Sequence, residues 1–287
     1  MRALEPAQTG CLRLSGFEIR YEVFGSEAAR PVLLLSPWQI VHSRIWKMQV
    51  PFLARHFRVI TFDLPGNGGA ERTLDPAAYH FDRIVDQAAG LLDHLQVATA
   101  GVVGLSRSCA FSLLLAARYP ERARRLVLIG GALSATGWSL PEDPTFWKRR
   151  DGYAGWEKYN AHYWRAHYAD WLSFFFSQVF SEPHSTKGID DACAWGAETT
   201  PEILIQTVDR SIYPAQSTPS LLERVHCPVL LIHGEDDRIC PIANSQSLAA
   251  ARPDWEFVTL SGAGHLPNVR EPVRVNLLIK DFLDRAA

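Results

Sequence analysis

A chain of 287 residues, 47% hydrophobic and 21% charged, is long enough for one large α/β domain or two smaller ones with a sizeable core. A net charge of −2, with Lys and Arg spread along the chain, gives no electrostatic support for nucleic-acid binding. No run approaches the roughly 18 apolar residues of a membrane span. The N-terminus, MRALEPAQTGCLRLSG, lacks a signal-peptide core, and five scattered cysteines without a CxxC pair argue against a disulfide framework or a zinc site. The expectation is a soluble, cytoplasmic protein.

In chain order, CLRLSGFEIRYEVFG alternates weakly and reads as a hairpin turning at Ser15-Gly16. Six apolar runs follow: PVLLLS (Pro31–Ser36), FRVITFD (Phe57–Asp63), AGVVGLS (Ala100–Ser106), RLVLIG (Arg125–Gly130), PVLLIHG (Pro228–Gly234) and WEFVTLSG (Trp255–Gly262). They are continuous rather than alternating, the pattern of strands buried on both faces in a parallel sheet. Amphipathic stretches of helical length lie between them. FDRIVDQAAGLLDHL places Ile84, Ala88, Leu91, Leu92 and Leu95 on one stripe, and PVRVNLLIKDFLDRA does so with Val273, Leu277, Leu278 and Phe282. Strand–helix alternation of this kind predicts an α/β sheet with right-handed crossovers.

The alternation stops between Ser134 and Thr218. That stretch carries Trp138, Trp147, Trp156, Trp164, Trp171 and Trp195 and few strand signals. It reads as a helical insertion, 134–218, dividing a core of 1–133 and 219–287. Most of its aromatics are expected to pack the insertion itself, and its place in the chain suits it to roof a site.

Chemistry concentrates at the strand ends. In GVVGLSRSCAFSLLLAARYP, Ser106 falls where a strand passes directly into a helix. Such a turn is open to two readings: a tight turn with a small side chain, or a nucleophile projected above the sheet with free helix N–H groups behind it. A serine nucleophile needs a base, and the base an orienting acid. Asp236 and Asp237 follow one strand and His265 follows the next, so the chain order is Ser…Asp…His at the carboxyl ends of strands, where open α/β sheets gather their sites.

Taken together, FDLPGNGGA (Phe62–Ala70), GLSRS at the turn, HGEDDRICP and GAGHLPNVREP make the sequence resemble an α/β-hydrolase with a cap domain. The resemblance spans essentially the whole chain except the insertion. It implies that Ser106 attacks, that His265 is general base and then general acid, and that an aspartate holds His265. The family pattern G-x-x-D-x-x-x-P fits Gly234 and Pro241 with Asp237, which leaves Asp236 as a turn residue. It also implies two backbone donors for an oxyanion: Arg107, after the nucleophile, and a residue after the first parallel strand. That loop reads SPWQIVHSRIW, departing from the usual His-Gly at Ser36-Pro37. Pro37 has no N–H, so Trp38 is the expected second donor.

His42, His162, His167 and His184 are expected to be structural or exposed, Cys109 a small core residue, and Asp63 a loop-stabilising group. The expected activity is serine hydrolysis of a small or medium apolar or aromatic ester, lactone or related acyl compound, with no cofactor and no metal. The alternatives are hydrolysis of a carbon–carbon bond in a diketone-type substrate, a cofactor-free perhydrolase, and a ligand-binding receptor on a hydrolase scaffold.

Overall fold

The computed structural model describes residues 4–138 and 144–285. Residues 139–143 of the expected insertion, and 1–3 and 286–287 of the expected core, lie outside it. An eight-stranded sheet is built from β1 (Gln8–Leu14), β2 (Phe17–Phe24), β3 (Pro31–Leu35), β4 (Arg58–Asp63), β5 (Ala100–Leu105), β6 (Ala123–Ile129), β9 (Val229–Gly234) and β10 (Glu256–Leu260), in the order β1-β2-β4-β3-β5-β6-β9-β10. A two-stranded ladder, β7 (Leu133–Ser134) with β8 (Gly137–Trp138), follows β6. The first hairpin is antiparallel and joins β4 through β2; every pair from β4 to β10 is parallel. The hairpin turns at Ser15 and Gly16, both with positive φ, which matches the right-handed twist of its strands. The architecture is an α/β-hydrolase fold, a mostly parallel sheet flanked by helices.

The central strands follow the sequence pattern. All residues of β5 and β9 are buried, as expected where helices cover both faces. The run WEFVTLSG departs from it. β10 is an edge strand whose residues Glu256 and Thr259 are exposed, because only one side of it has a hydrogen-bonded neighbour.

The C-terminal helix (Pro272–Asp284) also corrects the expected stripe. Val273 is 72% exposed and Leu277 46%, whereas Val275, Asn276, Ile279, Phe282 and Leu283 are buried. The helix is rotated because Asn276 faces inward, where its Nδ2 donates to the Met48 carbonyl at 3.0 Å. A polar residue with its amide donor satisfied, though not its Oδ1, occupies a core position that hydropathy assigns to an apolar one.

Between β8 and β9 the described residues form helices Ala161–Val179, Thr186–Gly196, Pro201–Gln206 and Thr218–Arg224, with 3₁₀ turns at Gly155–Lys158 and Arg210–Ile212. Asn160 caps the first, accepting the His162 and Tyr163 N–H groups. Trp164 and Trp171, one on each side of a break at His167, are fully buried and stack with centroids 4.9 Å apart. Trp138 lies apart from them and packs with Phe81 and Tyr213 on the opposite side of the sheet. Among the described residues no helix is long and apolar enough to cross a membrane.

Candidate active site

β3 is the point where the strand order reverses, with β4 on one side and β5 on the other. Leu35 at its end pairs with Gly104. The loop from Ser36 and the turn at Ser106 therefore open side by side at the switch point, where a crevice forms in such sheets.

Ser106 has φ of 55°, a left-handed conformation that costs a non-glycine residue free energy and lifts its side chain off the sheet. The surroundings hold it there. Its N–H donates to the Ile129 carbonyl at 2.8 Å, and its own carbonyl accepts from Cys109 at 3.1 Å. Helix Ser108–Arg118 begins immediately and crosses β5 closely. A Cβ on Gly104 would sit 2.5 Å from Ser112 Oγ and 2.7 Å from the Ser108 carbonyl, so only glycine fits. Ser108 stands where the usual motif has a second glycine. It is buried, and its Oγ accepts the Leu105 N–H at 2.8 Å and lies 2.9 Å from the Leu35 carbonyl. The hydroxyl thus ties the turn to β3 instead of disturbing it.

Three side chains from different strand ends meet here. His265 Nε2 is 3.0 Å from Ser106 Oγ, and His265 Nδ1 is 2.8 Å from Asp237 Oδ2. A carboxylate only accepts, so Nδ1 carries the proton and Nε2 is left to accept from the serine. Asp237 Oδ1 takes the Ile239 and Cys240 N–H groups, both at 2.8 Å. Burial pushes the Asp237 carboxyl up. The charge of His265 and the hydrogen bonds from His233, His265 and the Cys240 N–H outweigh it and hold the group well below the usual carboxylate range. Asp236 is exposed, and its N–H donates to the Ala263 carbonyl in the turn.

Sequence reasoning missed His233. It is fully buried, with Nε2 2.8 Å from the Cys240 carbonyl and 3.2 Å from Asp237 Oδ2, and Nδ1 2.7 Å from Ser245 Oγ. A carbonyl accepts, so Nε2 donates, and the aspartate is held by two histidines. The signal was a histidine inside an otherwise apolar strand, four residues before the aspartate. Glu182, from the insertion, was missed as well: its Oε1 accepts the Gly264 N–H at 2.7 Å, one residue before His265.

Trp38 and Arg107 line the same cavity as Ser106, and among the described residues neither backbone N–H has a protein acceptor. Their side chains meet at a third residue. Trp38 Nε1 donates to Thr207 Oγ1 at 2.6 Å, and Arg107 Nη1 to the Thr207 carbonyl at 2.8 Å. Thr207 caps the end of helix Pro201–Gln206, and nothing in its local sequence marks it.

Ser106 and His265 open onto a cavity of about 310 Å³. Its apolar wall includes Trp38 and Val41 from the sheet edge and Trp156, Tyr159, Phe175 and Val179 from the helical segment between β8 and β9. His42, His162, His167 and His184 do not line it. His42 caps a 3₁₀ turn, and Asp63 accepts the Ser43 and Gly69 N–H groups. Cys109 and Cys240 are fully buried, and burial pushes both thiols up, away from the thiolate that a cysteine nucleophile needs.

Residues 39–272 match the sequence model of the α/β-hydrolase fold. The chain belongs to the α/β-hydrolase family. A 2-hydroxymuconate semialdehyde hydrolase from Pseudomonas sp. strain CF600 is 31% identical over 84% of this chain and 81% of its own. A relative from Pantoea ananatis, RutD, named for carbamate hydrolysis, is 28% identical over 93% and 94%. The crystal structure of an enol-lactonase from Burkholderia xenovorans LB400 superposes with a TM-score of 0.79, at 24% identity over 96% of this chain and all of that one. The α/β-hydrolase described here is a hydrolase, and these relatives are named for different substrates.

Proposed function

We propose that this protein is a serine hydrolase of apolar or aromatic esters or lactones, acting through Ser106, His265 and Asp237. The observation that carries the reading is the unbroken Ser106–His265–Asp237 hydrogen-bonded chain at the floor of an apolar cavity. Ser106 Oγ attacks the acyl carbon as its proton passes to His265 Nε2. The carbonyl oxygen becomes an oxyanion received by the Trp38 and Arg107 N–H groups. Collapse releases the alcohol, which takes the proton from His265, and leaves Ser106 acylated. Water, deprotonated by the same Nε2, reverses the sequence and frees the acid. Asp237 fixes the imidazole tautomer and stabilises the imidazolium; it stays ionised throughout.

The insertion 134–218 acts as the cap in this reading. Its aromatic side chains offer large contact area to an acyl or alcohol group, and a wall that excludes water strengthens the oxyanion interactions. Labelling with a fluorophosphonate, followed by peptide mapping, tests the assignment. The adduct should fall on Ser106. An adduct on Ser108, or none in protein that turns over esters, would remove Ser106 as nucleophile.

Hydrolysis of a carbon–carbon bond is a second reading. It is supported by the likeness to the 2-hydroxymuconate semialdehyde hydrolase. A panel of aryl esters, lactones and diketones separates the two by which gives the higher kcat/KM.

A further inference from the structure

We infer that the cavity carries a carboxylate-recognition site centred on the Arg107 side chain, so that the substrate is an acid bearing its scissile bond on an apolar body. The inference rests on the hydrolase reading for where catalysis occurs, and on the side chain of Arg107 for the rest.

Arg107 is 3% exposed, yet among the described residues no carboxylate lies within ion-pairing distance of it. Its guanidinium has five N–H groups. One, on Nη1, reaches the Thr207 carbonyl. Nε is sealed from solvent with no acceptor, and Nη2 has no protein acceptor either. A buried cation without a counter-charge is among the costliest groups a fold can carry. The buried carboxylate of the site cannot serve. Asp237 is saturated by two backbone N–H groups and by His265 and His233.

The guanidinium is not loose. The Thr207 carbonyl holds one edge, and its carbon lies 5.3 Å from the centre of the Trp38 ring. Thr207 in turn accepts from Trp38 Nε1, so cation, ring and acceptor form one clamped unit. A cation–π contact of this kind stabilises the charge without using up any N–H group. Arg107 and Trp38 both line the cavity, and among the lining residues Arg107 is the only permanent charge. With Nε sealed, the Nη1–Nη2 edge is the part of this planar, pre-oriented fork left for a ligand, and that edge fits a carboxylate through paired charge-assisted hydrogen bonds.

The test separates binding from turnover. Ser106→Ala protein, which cannot turn over, is titrated with 3-phenylpropionate and with its neutral analogue 3-phenylpropanamide. The carboxylate should bind about 10- to 100-fold more tightly, the range for a hydrogen bond to a charged partner. Adding Arg107→Gln should abolish the preference, and Arg107→Lys should keep part of it, since the charge remains and the fork is lost. In the Ser106 protein, a half-ester of an arylsuccinate should be hydrolysed with higher kcat/KM than its diester, and Arg107→Gln should reverse that order. Equal affinity for acid and amide overturns the proposal whatever the variants do. So does a preference that survives Arg107→Gln. Equal losses on both esters would mean that Arg107 only supports the fold. If the acid is preferred and no ester is cleaved, the hydrolase reading fails and the carboxylate site stands.

Discussion

The carboxyl edge of the sheet and the helical segment between β8 and β9 build the same cavity by opposite means. At the sheet edge, position comes from short loops tied by directional hydrogen bonds. Ser106 is fixed by its neighbours' backbone, Asp237 by four hydrogen bonds, and His265 between them. In the insertion, position comes from stacked rings such as Trp164 and Trp171, with a few polar tethers to the sheet edge. Thr207 holds the side chains of Trp38 and Arg107, and Glu182 holds the loop of His265. Directional bonds place reacting atoms to within tenths of an ångström, whereas ring packing defines a volume. Damage to the first region should therefore appear in kcat, and damage to the second in KM and substrate choice.

The largest effect should follow Ser106→Ala, which should lower kcat by about 10³-fold or more with KM and Tm nearly unchanged, and His265→Ala should match it because the two act as one unit. Steady-state kinetics beside thermal melts checks this. A drop of ten-fold or less would place the nucleophile elsewhere.

Asp237→Asn should cost about 10²- to 10⁴-fold in kcat through loss of the tautomer it enforces. It also sharpens the comparison through stability. Because the folded pKa of Asp237 is depressed, ionised Asp237 adds stability that is fully present above its unfolded value of about 4 and is lost as pH falls toward the folded one. The difference in Tm between the native protein and Asp237→Asn should be flat from pH 8 to pH 6 and should shrink below about pH 4. A gap that widens on acidification would contradict a carboxylate held ionised.

Phe175→Ala tests the other region. The ring lines the cavity, packs on Trp38 at 5.5 Å and is 7% exposed. Its removal should raise KM for aryl esters about ten-fold, with kcat changed less than about three-fold, as expected for lost apolar contact area. An equal fall in kcat would mean that the insertion also positions reacting atoms. The smallest effect should come from Asp236→Asn, which leaves the turn's backbone bonds in place and should alter kcat/KM by less than about two-fold. A loss comparable with that of Asp237→Asn would exchange the two assignments.

The sequence by itself determined the sheet and the places where its loops carry chemistry. Continuous apolar runs mark strands buried on both faces, and that signal is local: it survives in β5 and β9 without knowledge of their partners. Strand ends, readable one at a time, also sufficed for the chain order Ser106, then Asp236 or Asp237, then His265, and the choice of Asp237 came from the resemblance to the α/β-hydrolase pattern. Tertiary structure decided what depends on which surface meets which. The rotation of the last helix turned on the hydrogen bond from Asn276 to Met48, and the exposure of β10 on its place at the sheet edge. His233 became part of the site because β9 carries it to the aspartate it shares with His265. Thr207 and Glu182 reach the sheet edge from 100 and 82 residues away in sequence, at Arg107 and Gly264. Hydropathy and motif spacing report on a residue and its near neighbours, and contacts at that separation are fixed only when the chain packs.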